Sequence, residues 1–158
     1  MSDLNDVPGN SHKEWSLESA NWRDFSQLNH LEKACFKPED RWPFWDLLGV
    51  LTLPGLVRLK AVSGEHMVGF ISGERESAYQ RGWVTTLGVL PNFRRFGIAK
   101  ALLTACEREL SMPIIRLCVR ESNHPAIELY QATGYVLVDH WKKYYAKGES
   151  ALVFEKRR

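Results

Sequence analysis

The sequence predicts one α/β domain of mixed (α+β) character: a central sheet of about six to seven strands flanked by about four helices. Three observations carry that expectation. Val57, Leu59 and Ala61 alternate with Arg58 and Lys60, and Ser63-Gly64-Glu65 turns into the apolar run Met67–Ile71, the pattern of an antiparallel hairpin. Residues 83–119 read as strand, helix, strand, a connection long enough for a parallel central pair with a right-handed crossover. One more helix and two strands close the chain.

Taken in order, residues 1–12 are polar and read as a flexible tail, leaving 13–158 as the folded domain. Trp15 to Leu17 forms a short first strand. Asn21 is a candidate N-cap with Asp24 three residues on, and Trp22, Phe25, Leu28, Leu31 and Cys35 keep helical spacing to Phe36. Lys37-Pro38-Glu39-Asp40 ends that helix, because the residue before a proline avoids helical angles. Pro43 then starts a second, short helix carrying Phe44, Trp45, Leu47 and Leu48. Pro54-Gly55 turns into the alternating run Val57, Leu59, Ala61, and Met67–Ile71 returns beside it. A polar stretch from Gly73 to Gly82 leads into the strand at Trp83. Beyond Pro91-Asn92, the apolar stripe Ala99, Leu103, Cys106, Leu110, with Ile98, Leu102 and Ala105 beside it, is that of a helix packed on a core. Pro113 breaks this helix and Ile114–Val119 is a strand. Asn123 and Pro125 open a last helix, which Gly134 ends, and Tyr135–Trp141 and Ala151–Phe154 are the final strands.

A chain of 158 residues, 44% of them hydrophobic, is one domain with a sizeable core. A net charge of +2 does not suggest a nucleic-acid partner, and the short basic end Glu155-Lys156-Arg157-Arg158 reads as a solvated terminus. Cys35, Cys106 and Cys118 lie far apart and without metal-ligand spacing, as reduced thiols do. No stretch has the length of a membrane span or the pattern of a secretory signal, so the expectation is a cytoplasmic monomer or homodimer without membrane attachment.

The organising stretch is Trp83 to Leu110. A strand that feeds a basic, glycine-containing turn at a helix start makes an anion site, because first-turn amides have no partner within the helix. The segment Arg94-x-x-Gly97-x-Ala99 resembles the Arg/Gln-x-x-Gly-x-Gly/Ala signature of the GNAT superfamily of N-acetyltransferases. The blocks Leu117 to Asn123, Ala126-Ile127-x-Leu129-Tyr130, Gly134-Tyr135 and Tyr144-Tyr145 resemble its ribosomal-protein alanine and N-terminal acetyltransferase branch. This resemblance spans roughly residues 14–156. It implies an enzyme that uses acetyl-CoA to acetylate an amine by direct attack in a ternary complex. The acceptor it implies is a protein or peptide N-terminus; a small amine, a lysine or a non-catalytic acyl-CoA sensor are the alternatives.

The resemblance also places residues. Arg94, Arg95, Phe96, Gly97, Ile98, Ala99 and Lys100 would hold the pyrophosphate of the cofactor, and Asn123 would contact its arm. Leu87, Gly88 and Val89 occupy the place of a splayed strand whose amides face the thioester, with Gly88 easing the distortion. Tyr130 stands at the position of the general acid facing the sulfur, although spacing alone puts it on an apolar helix face. Where the ribosomal-protein branch has Glu, this chain has Cys118, which alternation places on one strand face with Arg116 and Arg120. A thiol with an ordinary pKa of about 8.5 is a base only if its thiolate is stabilised. Glu39, in a Pro-Glu-Asp loop like the family's Pro-Glu-Asn, is the second candidate for receiving the amine's proton, and a water is the third. Tyr144 and Tyr145 would flank the acceptor peptide.

Overall fold

A computed structural model describes residues 14–158; the tail expected at 1–12 lies outside the described residues. Seven strands form one sheet: β1 (Ser16–Ser19), β2 (Val57–Ser63), β3 (His66–Glu76), β4 (Arg81–Val89), β5 (Ile114–Arg120), β6 (Val136–Trp141) and β7 (Ala151–Arg157). They lie in the order β1-β2-β3-β4-β5-β7-β6. All neighbours are antiparallel except β4 and β5. Four α-helices flank the sheet: α1 (Phe25–Cys35), α2 (Phe44–Thr52), α3 (Ile98–Leu110) and α4 (His124–Ala132). This is the mixed sheet and parallel central pair that the sequence predicts.

The sheet is covered on both faces. Leu102, Leu103, Cys106 and Leu110 of α3 and Tyr130 of α4 pack on one face with Leu59, Ile71, Val84 and Leu117. On the other, Leu28 and Leu31 of α1 and Leu47, Val50 and Leu51 of α2 enclose Met67 and Phe70. Helix α3 lies close because β3 and β4 offer glycine beneath it. A Cβ at Gly69 would stand 3.0 Å from Leu102 Cδ1, and one at Gly73 3.0 Å from Cys106 Sγ.

Local signals explain most boundaries. Asn21 and Asp24 form a reciprocal capping box, and a single 3-10 turn at Trp22–Asp24 precedes α1. Trp22 is exposed, so it adds nothing to the apolar face of that helix. Likewise Phe44 and Trp45 point outward from α2, whose buried residues are Leu47, Val50 and Leu51. The polar stretch 73–82 is strand on both sides of a short 3-10 turn at Ser77–Tyr79, so β3 and β4 are longer than their apolar cores suggested. Exposed strand ends carry no hydrophobic alternation for the sequence to display.

Two irregularities shape the functional end. The β3–β4 register shifts between Ser72↔Thr86 and Gly73↔Val84, which leaves Thr85 as a bulge. Its Oγ1 is 2.6 Å from Ser72 Oγ. The parallel β4–β5 pairing stops at Val84↔Leu117, although β4 continues to Val89 and β5 to Arg120. Beyond that pair the two strands diverge into an open wedge.

Candidate active site

The wedge opens between the two faces of the sheet, and different groups lie on each. Along β5, Ile115, Leu117 and Val119 are buried in the core under α3 and α4, while Arg116, Cys118 and Arg120 occupy the opposite face. Tyr130 belongs to the α3/α4 side and Cys118 to the α1/α2 side, as strict alternation requires.

On the α3/α4 side, the turn before α3 has the make of an anion cradle. Gly97 has φ +79°, a left-handed conformation that glycine takes without strain, and Arg95 before it is also left-handed at +68°. No side chain caps α3, and its first backbone bond is from Ala101 N–H to Gly97 O. The amides of Ile98, Ala99 and Lys100 therefore have no partner within the helix, and they lie at its positive end. Ile98 contributes backbone alone, since its side chain is in the core. Arg95 and Lys100 are exposed beside the turn, and Ala99 keeps the approach small. Arg94 shapes the turn: its Nε donates to Val89 O at 3.1 Å. A diphosphate fits this cradle in charge and in donors.

The β4 segment Leu87–Val89 borders the wedge beyond its last bond to β5, so no strand pairing from β5 reaches it, and Val89 O is taken instead by Arg94 and Cys35. Gly88 has a different reason from the one expected. It sits in regular register opposite Phe70, and the distortion of β4 is at Thr85. A Cβ at Gly88 would stand 3.2 Å from Leu31 Cδ2 and 3.4 Å from Cys35 Sγ, so glycine here lets α1 approach β4. The Cys35 thiol donates to Val89 O at 3.4 Å.

Tyr130 is 7% exposed and meets Tyr135 and Phe154 edge-on or tilted at ring-centroid distances of 5.9 and 6.3 Å. Burial pushes its phenol up to about 12, and no described residue hydrogen-bonds its hydroxyl. It is a protonated donor across the physiological range. Asn123 caps α4, its Oδ1 accepting from Ala126 N–H at 3.3 Å.

On the α1/α2 side, the half-buried Cys118 thiol is pushed up to about 11 by burial alone. It stays protonated at neutral pH, which suits neither a base nor a nucleophile. Glu39, in a short 3-10 turn at Pro38–Asp40, is held ionised below its usual range, first by a local backbone hydrogen bond and then by Lys147 at 3.2 Å. Such a carboxylate attracts an ammonium well and accepts its proton poorly.

Sequence reasoning did not single out Arg120. Its guanidinium pairs with Asp40 of the loop 36–43, and with Glu149 of the loop 142–150 at 2.6 Å. It also stacks on Tyr145, 4.3 Å from the ring centroid. One side chain thus ties both loops over Cys118. An aromatic run lines the same face: Trp83 to Trp141 at 6.1 Å, Trp141 to Tyr144 at 5.3 Å, and Tyr144 to Tyr145 at 5.0 Å. The alternation of β5 put Arg120 beside Cys118, but its partners lie 80 and 29 residues away and left no local mark.

A wedge between parallel strands, an uncapped helix start on one side and an aromatic run on the other suit the class of enzyme that takes an anionic donor and a separate acceptor. The comparisons give that class its family. A model of the acetyltransferase (GNAT) family matches residues 16–135, and the chain belongs to this family. It is an acetyl-CoA-dependent N-acetyltransferase. Over 153 residues it is 31% identical to an N-alpha-acetyltransferase of Saccharolobus solfataricus, covering 88% of this chain and 90% of that one. It is 34% identical over 121 residues to NAA10 of Arabidopsis thaliana, the catalytic subunit of the N-terminal acetyltransferase A complex. That match covers 72% of this chain and 63% of NAA10. Arabidopsis thaliana Naa50, solved with the bisubstrate analogue CoA-Ac-MVNAL, superposes with a TM-score of 0.74 at 26% identity, over 91% of this chain and 99% of that one. Among the described residues no helix is long and apolar enough to cross a membrane.

Proposed function

We propose that this enzyme acetylates the α-amino group of protein or peptide N-termini. The observation that carries the reading is the state of the two candidate bases: Cys118 is protonated and Glu39 is a weakly basic carboxylate. An α-amine with a pKa of about 8 is neutral to roughly a tenth to a fifth at pH 7.2, whereas a lysine amine near 10.4 is neutral to the order of one part in a thousand. A cleft so equipped suits the first acceptor far better than the second. The likeness to N-terminal acetyltransferases points the same way.

Bound acetyl-CoA supplies an activated acyl group at a thioester carbonyl. The amides of Ile98, Ala99 and Lys100, with Arg95 and Lys100 nearby, hold its diphosphate. Backbone amides of Leu87–Val89 orient and polarise the carbonyl. The carboxylate of Glu39 draws the acceptor's ammonium into the cleft, and the neutral fraction attacks directly once a water has taken the proton. Tyr144 and Tyr145 flank the peptide, and rigid rings do so at low entropic cost. Tyr130 Oη would give its proton to the departing sulfur, and the proton that the nitrogen sheds as the amide forms would return through water to the phenolate.

Turnover against short peptides that differ in their first residues tests the reading, with an N-blocked, lysine-containing peptide as control. Turnover confined to free N-termini is expected, and the preferred first residue gives the specificity. Equal turnover of the blocked peptide would replace the α-amine with a lysine acceptor. Turnover of small amines alone would make the enzyme a small-molecule acetyltransferase.

A further inference from the structure

One buried ionisable group has no part in this scheme. Glu32 of α1 is 3% exposed, and its Oε2 is without a hydrogen-bond partner. Unpartnered buried oxygens are rare in native interiors and call for a reason. Glu32 lies beneath the loop 36–43. Phe36 and Trp42 of that loop, Leu47 and Val50 of α2, and Thr86 of β4 close around it with no room for a water. The Trp42 backbone amide donates to its carboxyl. Arg41 fastens the same loop to the end of α1, donating from Nε to Phe36 O and from Nη2 to Lys33 O, each at 3.0 Å. The inner side of the loop therefore hangs from Glu32, while its outer side offers Glu39 and Asp40 to Lys147 and Arg120.

We propose that Glu32 is a positioning residue for the acceptor: its carboxyl holds the loop through Trp42, and the charge on that carboxyl sets how closely the loop lies over the cleft. The proposal rests on the reading of this loop as an acceptor wall. Arg41 from the loop is the charge facing Glu32, and Cys35 is the other titratable group near it on α1. The residues that α2, β3 and β4 present there, Leu47, Val50, Phe70, Thr86 and Gly88, carry no charge. Burial keeps the carboxyl neutral up to about pH 7. Above that, a charge with one unpartnered oxygen stands in a dry space, and lifting of the loop to admit water relieves it. Acceptor affinity then weakens with rising pH, while the chemical step, which Glu32 does not touch, is unchanged.

The test follows the Trp42 backbone amide by NMR and the steady-state kinetics together, in the wild type and in Glu32→Gln, which keeps an oxygen for the amide but cannot ionise. The Trp42 resonance is expected to titrate in the wild type and to stay flat in the variant. The acceptor KM of the wild type relative to the variant is expected to rise about three- to tenfold between about pH 6 and 8.5, with relative kcat and acetyl-CoA KM level. The acceptor's own titration is common to both enzymes and cancels in that ratio. A wild-type Trp42 amide that does not titrate overturns the proposal, whether or not the variant folds. A titrating amide with a flat acceptor KM removes the loop from the acceptor site, and the proposal falls with the reading beneath it. A lower kcat in Glu32→Gln at unchanged KM would make Glu32 a proton acceptor in the reaction, which contradicts a positioning role.

Discussion

Tyr130 and Cys118 lie on opposite faces of the sheet, and burial leaves both protonated. For Tyr130 that is the state a proton donor needs. Tyr130→Phe removes a hydroxyl with no described partner, so stability should change by less than about 1 kcal/mol. The same change should lower kcat by about 10²- to 10³-fold with acetyl-CoA binding nearly intact. Denaturant titration beside kinetics separates the two effects, and equal losses in both would deny Tyr130 a chemical role. Because its phenol titrates only near 12, the rate should not fall on its account below about pH 10. For Cys118 the protonated state argues against covalent catalysis. Cys118→Ala should retain kcat within about tenfold, and intact-protein mass measured after incubation with acetyl-CoA alone should show no acetyl adduct on the wild type. An adduct that disappears in the variant would require a two-step route.

At the scale of elements, the proposed function makes the turn into α3 and the two loops over the cleft decide binding. Gly97→Ala places a Cβ in open space but at φ +79°, so backbone strain is its whole effect. It should cost about 1 kcal/mol in stability and raise the acetyl-CoA KM several-fold, leaving acceptor KM alone. Arg120→Ala frees Asp40, Glu149 and Tyr145 together, so the loops 36–43 and 142–150 lose their common tie. Acceptor KM should rise at least about fivefold, since truncating one partner of a partly buried charge network strands the others. Arg120→Lys should recover only part of this, because an ammonium cannot stack and fork at once. Unchanged acceptor KM in both variants would show that these loops do not form the acceptor wall.

The elements also show what was legible in the sequence. The hairpin, the Ile98 helix and its glycine turn, and the capped helix at Asn123 all carry local signals, and all are present. The bulge at Thr85 was not legible, because it arises from register between strands and no residue type marks it. Gly88 was read as easing a bend when it makes room for α1, and only packing distinguishes these roles. Glu32 did leave a trace. It sits four residues after Leu28 and three before Cys35, a charge on the apolar stripe of an otherwise ordinary amphipathic helix.

For the whole molecule, that same carboxyl sets a direction for stability against pH. The Glu32 pKa is raised in the folded state from near 4.5 to about 7, so the folded state binds its proton more tightly than the unfolded chain does. The stabilisation is complete below about pH 4.5 and is lost as pH rises through about 7, amounting to at most about 3 kcal/mol. Glu32→Gln should therefore be flatter than the wild type between pH 5 and 8 in thermal or denaturant unfolding, and the more stable of the two at about pH 8. In the proposed arrangement each substrate has its own face of one sheet, joined where β4 leaves β5 after Val84↔Leu117. The proposed α-amine selectivity then follows from the protonated Cys118 and the weakly basic Glu39 on the acceptor face. The most direct measurement is acetylation of one peptide that carries both a free N-terminus and an internal lysine, with the product located by fragment-ion mass spectrometry. Acetyl at the α-nitrogen in large excess is the predicted result. Acetyl at the lysine, or at both sites equally, would contradict the account.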